Sequence, residues 1–221
     1  MYKGKFYLKD FPKTLSAVWG FRDTGFPYSG IWIFSGGQGS GKTLNAVQAV
    51  LDIKKEFPNC KVVSNIPLNI EGVEPYTGLE DFDKYDNGTD GIVYLLDEIQ
   101  SMYSSMQSKH VGDEQLYIWA QNRKNRRVII GTTQRFTRVA KPIREQTRYL
   151  YDMRGHLLNV FSYREYDGYN FDDEGNYCEE RPPIRYCCPS FDAYKAYDTR
   201  YIVHWKGDKL DDGKRINSRS R

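Results

Sequence analysis

The segment Gly36-Gly37-Gln38-Gly39-Ser40-Gly41-Lys42-Thr43 joins residue types whose combined chemistry is narrow. It fits G-x-x-x-x-G-K-[ST], with Gly36 and Gly41 as the fixed glycines and Lys42-Thr43 closing the pattern. Glycines let successive backbone N–H groups turn inward as an anion nest, along a path that a Cβ would often obstruct. A lysine there reaches the β- and γ-phosphates of a nucleotide, and the next hydroxyl can hold Mg²⁺ at the start of a helix. Glycine-rich turns also produce such matches by chance, and the flanking sequence decides between the two. Ile31 to Phe34 supplies the buried strand that such a loop must follow. Beyond the loop, Leu44, Val47, Val50, Leu51 and Ile53 recur at near-helical spacing until Pro58-Asn59 stops them.

Two further strand ends carry candidate chemistry. Ile92 to Leu96 (IVYLL) is wholly apolar and runs straight into Asp97-Glu98. In phosphate-loop enzymes an acid ending a buried strand lies beside the metal at the sheet edge, a role that fits Asp97. Glu98, one residue further, is suited to polarise an attacking water. The plainer alternative is that both acids cap a following helix, whose N-terminal partial charge favours them. Val128 to Thr133 (VIIGTT) is another buried strand, and it ends in Gln134.

The elements that must position these residues alternate. Cys60 to Ser64 reads as a strand, Glu71 to Gly91 as loops around one short helix, and Asp113 to Asn125 as a helix. A further helix leads through Pro142 to Thr147 into a strand over Arg148 to Met153. Apolar strands alternating with helices predict an α/β fold whose mainly parallel sheet is covered on both faces, with ligands at the C-terminal strand ends. From Gly155 the sequence becomes Tyr-rich and alternating. His156 to Tyr166 and Asn176 to Cys188 read as an antiparallel hairpin with a long tip at Asp172-Asp173-Glu174-Gly175, followed by a short helix over Ser190 to Ala196 and a strand over Arg200 to Trp205. The expected organisation is an N-terminal arm over 1–29, a nucleotide-binding core over 30–153, a hairpin and C-terminal extension over 154–205, and a flexible basic tail over 206–221.

With 221 residues, one α/β domain with a substantial core and a small appendage is expected. The formal charge of +3 means that affinity for nucleic acid must come from local clustering of Lys and Arg. No export signal is visible, and no apolar run approaches the roughly 20 residues that span a bilayer, so the expected location is the cytoplasm, that of the host cell if the protein is viral. The four cysteines, Cys60, Cys178, Cys187 and Cys188, contain no C-x₂-C pair and read as reduced thiols.

Positive charge is clustered between Trp119 and Arg148, where Arg123, Lys124, Arg126, Arg127, Arg135, Arg138, Lys141, Arg144 and Arg148 face one acid, Glu145. Some of these could complete a neighbouring subunit's nucleotide site, others could contact a nucleic-acid backbone, and an ordinary solvated basic face is the third reading.

The phosphate loop, YLLDE over Tyr94 to Glu98, and RKNRRVIIGTTQR over Arg123 to Arg135 running on into VAKPIREQTRYLYDM together resemble the FtsK/HerA superfamily of DNA-pumping ATPases. Within it the resemblance is to the branch of Zot-like phage assembly proteins and viral genome-packaging ATPases, over about Gly30 to Met153. The resemblance implies a P-loop NTPase fold of the ASCE, RecA-like type, with ATP and Mg²⁺ as cofactors. Gly36 to Thr43 would bind nucleotide, Thr43 and Asp97 the metal, and Glu98 would activate water. Gln134 would sense the γ-phosphate from a strand lying between the glycine and acidic motifs. Arg123, eleven residues before Gln134, would reach into the adjacent subunit, with Arg126 and Arg127 as rivals for that role. The implied partners are double-stranded DNA, further copies in a pentameric or hexameric ring, and a viral portal or a membrane or assembly protein. The loop by itself also suits a small kinase, which would leave Glu98 and Gln134 without an evident purpose.

Overall fold

The computed structural model describes residues 25–102, 125–172 and 174–197. The phosphate-loop strand is β1 (Gly30–Ser35), followed by α1 (Lys42–Glu56) and β2 (Lys61–Ser64). Next come β3 (Val73–Pro75), α2 (Asp81–Lys84) and β4 (Ile92–Leu96). After the undescribed stretch come β5 (Arg127–Thr133), α3 (Lys141–Glu145), β6 (Thr147–Gly155), β7 (Phe161–Asp167), β8 (Arg185–Cys187) and α4 (Phe191–Ala196).

The eight strands form one sheet in the order β3-β2-β4-β5-β1-β6-β7-β8. Pairing is parallel from β3 to β6 and antiparallel for β6–β7 and β7–β8. A parallel sheet needs cover on both faces, and the alternation along the central strands supplies two apolar surfaces. Val93 and Leu95 of β4 join Phe34, Val62, Val128 and Ile130 in the layer that packs on Val47, Val50 and Ile53 of α1. Ile92, Tyr94 and Leu96 face the other way, with Ile31, Ile33, Ile129, Phe82 and Ile143. Tyr94 is fully buried, and its hydroxyl donates to the Asp81 carbonyl at 3.0 Å, so the large side chain leaves no orphaned polar atom.

The mixed α/β fold with a C-terminal antiparallel part agrees with the sequence reading, with two differences. A strand, β3, lies within the stretch read as loops and one short helix. It is a three-residue edge strand ending in Pro75, and proline is tolerated there because an edge leaves one row of N–H groups unpaired anyway. The hairpin also has a different main partner. The stretch over His156 to Tyr166 is broken by a turn at Leu157–Asn159, and β7 pairs along its length with β6, from Gly155↔Phe161 to Tyr149↔Asp167. On its other side it meets β8 at only three positions, Phe161↔Cys187, Ser162↔Tyr186 and Tyr163↔Arg185. Pro182 and Pro183 precede β8 and cannot donate to a ladder, which limits that pairing. The expected arm over 1–29 as far as Thr24, the expected helix over Asp113 to Asn125 as far as Lys124, the strand over Arg200 to Trp205 and the tail lie outside the described residues, and Asn125 itself lies in a turn.

Candidate active site

β1 delivers the chain to Gly36, whose N–H donates to the Thr133 carbonyl at 3.3 Å and closes the strand. The loop then folds back over the β6–β7 hairpin. Gly41 enters α1 with φ 80°, and a Cβ there would lie 2.3 Å from the Phe161 ring, so both conformation and space demand glycine. Gly37, Gln38 and Gly39 are exposed. Ser40 is buried, with its hydroxyl oxygen lacking a hydrogen-bond partner among the described residues. No acid occupies the first turn of α1, so the positive end of the helix is left for an anion.

Lys42 is 7% exposed, and its ammonium donates to the Gly37 carbonyl at 2.9 Å across the loop. Burial lowers its pKa from the ordinary lysine value, and the nearby Glu98 and Asp97 carboxylates partly offset that. The Thr43 hydroxyl donates to Asp97 Oδ1 at 2.7 Å, joining the loop to the end of β4. Two oxygen donors at the mouth of a phosphate loop fit a hard cation such as Mg²⁺, which takes one or two protein oxygens and completes its shell with phosphate and water.

Asp97 is buried and held from three directions. Thr132 Oγ1 also donates to its Oδ1, at 2.8 Å, while the Asn65 side chain accepts from its N–H at 2.8 Å and donates to its carbonyl at 2.9 Å. Glu98 follows in the left-handed region, φ 51° and ψ 49°, with its N–H donating to Thr132 Oγ1 at 2.9 Å. Its carboxylate accepts from the Gln100 side-chain amide. Gln134 sits exposed just past the end of β5, its Oε1 accepting from Arg138 at 3.4 Å.

Sheet order places β5 between β4 and β1, so the strand ending in Gln134 lies between the acidic and glycine motifs. Register carries it there: Thr133 is level with Ser35, and Gly131 with Leu96. Lys42, Thr43, Asp97 and Glu98 therefore gather at one sheet edge, with Gln134 on the adjacent strand end. Arg123 lies outside the described residues. Arg127 is buried at the start of β5 and donates to the Tyr85 carbonyl at 3.5 Å; Arg126 donates to the Thr89 carbonyl at 3.2 Å. Asn65, Thr132 and Gln100 are site residues that sequence reasoning did not select. For Asn65 a signal existed, because it ends a buried strand at the same edge as Asp97 and Gln134.

The family model for zonular occludens toxin (Zot) matches residues 30–170, more than half of the 221-residue chain. The chain belongs to the Zot family. Among solved structures, this Zot-family chain is similar to the N-terminal domain of zonular occludens toxin from Neisseria meningitidis, at 17% identity and a TM-score of 0.57, over 77% of this chain and 99% of that one. It is also similar to the genome packaging NTPase B204 from Sulfolobus turreted icosahedral virus 2 in complex with AMPPCP, at 12% identity and a TM-score of 0.52, over 74% and 98% of the two chains. The same viral NTPase in complex with ATP-gammaS matches at 13% identity and a TM-score of 0.51, over 73% and 98%. At such identities these likenesses establish the fold, that of P-loop NTPases. No curated protein matches the sequence.

Proposed function

We propose that the protein is an ATPase of the phage packaging and assembly type, working as a homo-oligomeric ring that moves double-stranded DNA. The observation that carries this reading is the bond of 2.7 Å between Thr43 and Asp97, which brings the phosphate loop and the acid-ended strand into one site. Genome packaging is the role of the viral NTPase B204, whose fold this chain shares.

In this reading Gly36 to Gly41 enclose the phosphates with backbone N–H groups, and Lys42 exchanges its Gly37 carbonyl partner for the β- and γ-phosphates. Thr43 and Asp97 would hold Mg²⁺, which would supply positive charge against the phosphates. Glu98 orients and takes a proton from the attacking water, and Gln134 registers the γ-phosphate from the intervening strand. Arg123 of a neighbouring copy stabilises the charge that develops in the transition state. The own-chain carbonyl partners of Arg126 and Arg127 favour Arg123 over those two rivals. Arg135 and Arg138, exposed beyond Gln134, are candidate contacts for DNA phosphates, which are gripped without reading sequence.

The decisive measurement is ATP hydrolysis by the assembled protein with and without duplex DNA. Stimulation by DNA, with affinity that falls steeply as salt rises, is the expected result. No DNA affinity at low salt and no stimulation would remove the motor. The family match favours a second reading, an assembly or secretion ATPase that docks on a membrane partner. No helix among the described residues is long and apolar enough to cross a membrane, so that reading requires a separate anchoring protein or a segment outside those residues.

A further inference from the structure

The hydroxyl of Thr132 is fully buried between the two acids and makes two bonds of opposite sense. It accepts the Glu98 N–H at 2.9 Å and donates its single proton to Asp97 Oδ1 at 2.8 Å. With one proton and one direction for it, the rotor is fixed, and so is the Asp97 carboxylate, which Thr43 approaches on the same oxygen. From the neighbouring strand, the Asn65 amide grips both the N–H and the carbonyl of Asp97. Glu98 then turns in a left-handed conformation that a residue with a Cβ keeps only when its surroundings hold it there.

We propose that Thr132 and Asn65 are positioning residues for the hydrolytic site: Thr132 locks the Glu98 turn and orients Asp97 through one hydroxyl, while Asn65 anchors the Asp97 peptide to β2. The inference rests on the ATPase reading above. It makes β5 a shared support, since the strand that ends in Gln134 also sets the geometry of the metal-side acid and the water-side acid. Neither residue touches the reacting atoms. Their loss therefore acts on the geometry of hydrolysis and on metal-assisted binding, and leaves the phosphate loop intact.

The test uses Thr132→Val, which keeps shape and removes both bonds, and Thr132→Ser, which keeps the hydroxyl. Binding of a fluorescent non-hydrolysable ATP analogue is measured with Mg²⁺ and with EDTA, beside kcat and KM for ATP. Thr132→Val is expected to bind the analogue in EDTA within about twofold of wild type and to lose about tenfold of the gain that Mg²⁺ confers, with kcat down about tenfold or more and KM for ATP in Mg²⁺ raised by about the same factor as the lost gain. Thr132→Ser is expected to restore both. Should Thr132→Val not fold, Asn65→Leu, at a less buried position, is expected to give the same pattern. Equal weakening with Mg²⁺ and with EDTA, together with a lower thermal midpoint, would mark these residues as merely structural and overturn the inference. Wild-type behaviour of Thr132→Val overturns it alone; wild-type protein that neither binds the analogue nor hydrolyses ATP overturns the parent reading with it.

Discussion

Lys42 illustrates how the site trades stability for chemistry at a single side chain. Its folded pKa is lowered from the lysine value, chiefly by burial, so the protonated form is less favoured in the fold than in the unfolded chain. The resulting penalty is fully present at pH below the folded value and fades only as pH rises through it toward the unfolded value. Lys42→Met is therefore expected to leave the thermal midpoint unchanged or raise it by about 2–4 °C while abolishing ATP hydrolysis, read by thermal denaturation and phosphate release. A midpoint several degrees lower would mean that the bond to Gly37 and the neighbouring acids outweigh burial. Glu98 calls for a different signature, because its proposed task is proton transfer and not binding. Glu98→Gln is expected to slow hydrolysis by about 10² to 10⁴ while analogue affinity stays within a few-fold. Loss of binding in that variant would remove the general-base assignment.

At the scale of elements, the phosphate loop is moulded against the β6–β7 hairpin, and at Gly41 a Cβ would lie 2.3 Å from the Phe161 ring. Gly41→Ala combines a left-handed backbone, costing about 1–2 kcal/mol, with overlap on the Phe161 ring. Its thermal midpoint is expected to fall by about 2–4 °C or more, and adding Phe161→Ala is expected to relieve the overlap but not the backbone strain. If Gly41→Ala melts like wild type, the hairpin does not press on the loop. That contact was not legible in the sequence, whereas β1, β2, β4 and β5 were, because strands buried on both faces are continuous apolar runs bounded by turns. β3 escaped notice because a three-residue edge strand buries too little to leave a pattern. The turn between β6 and β7 escaped because Leu158 and Asn159 take left-handed conformations without a glycine or proline to announce it. The site divides along the same line. Lys42, Thr43, Asp97, Glu98 and Gln134 follow from residue type and from the rule that ligands lie at strand ends. Thr132 is one of seven buried residues in β5, and only the register shows which of them meets Asp97.

For the whole molecule, the proposed ring implies a heterologous interface, in which one copy presents its phosphate loop and the next presents Arg123 on a different surface. Such an arrangement separates the two halves of each site onto different chains, and separated halves can be recombined. Lys42→Met removes the nucleotide side of its own site but leaves Arg123 able to serve a neighbour. Arg123→Ala keeps an intact phosphate loop but gives its neighbour nothing. Each variant alone is expected to lose about 10³-fold or more in rate, since an arginine supplied in trans contributes on that scale. Mixed in equal amounts before assembly, a quarter of random interfaces join an intact loop to an intact arginine, so activity of about one quarter of wild type is expected if interfaces act independently. A site completed within one chain predicts no recovery at any mixing ratio. Recovery below a quarter, falling off steeply as the variant fraction changes, would mean that neighbouring sites must fire in concert, because an active interface flanked by dead ones would then stall.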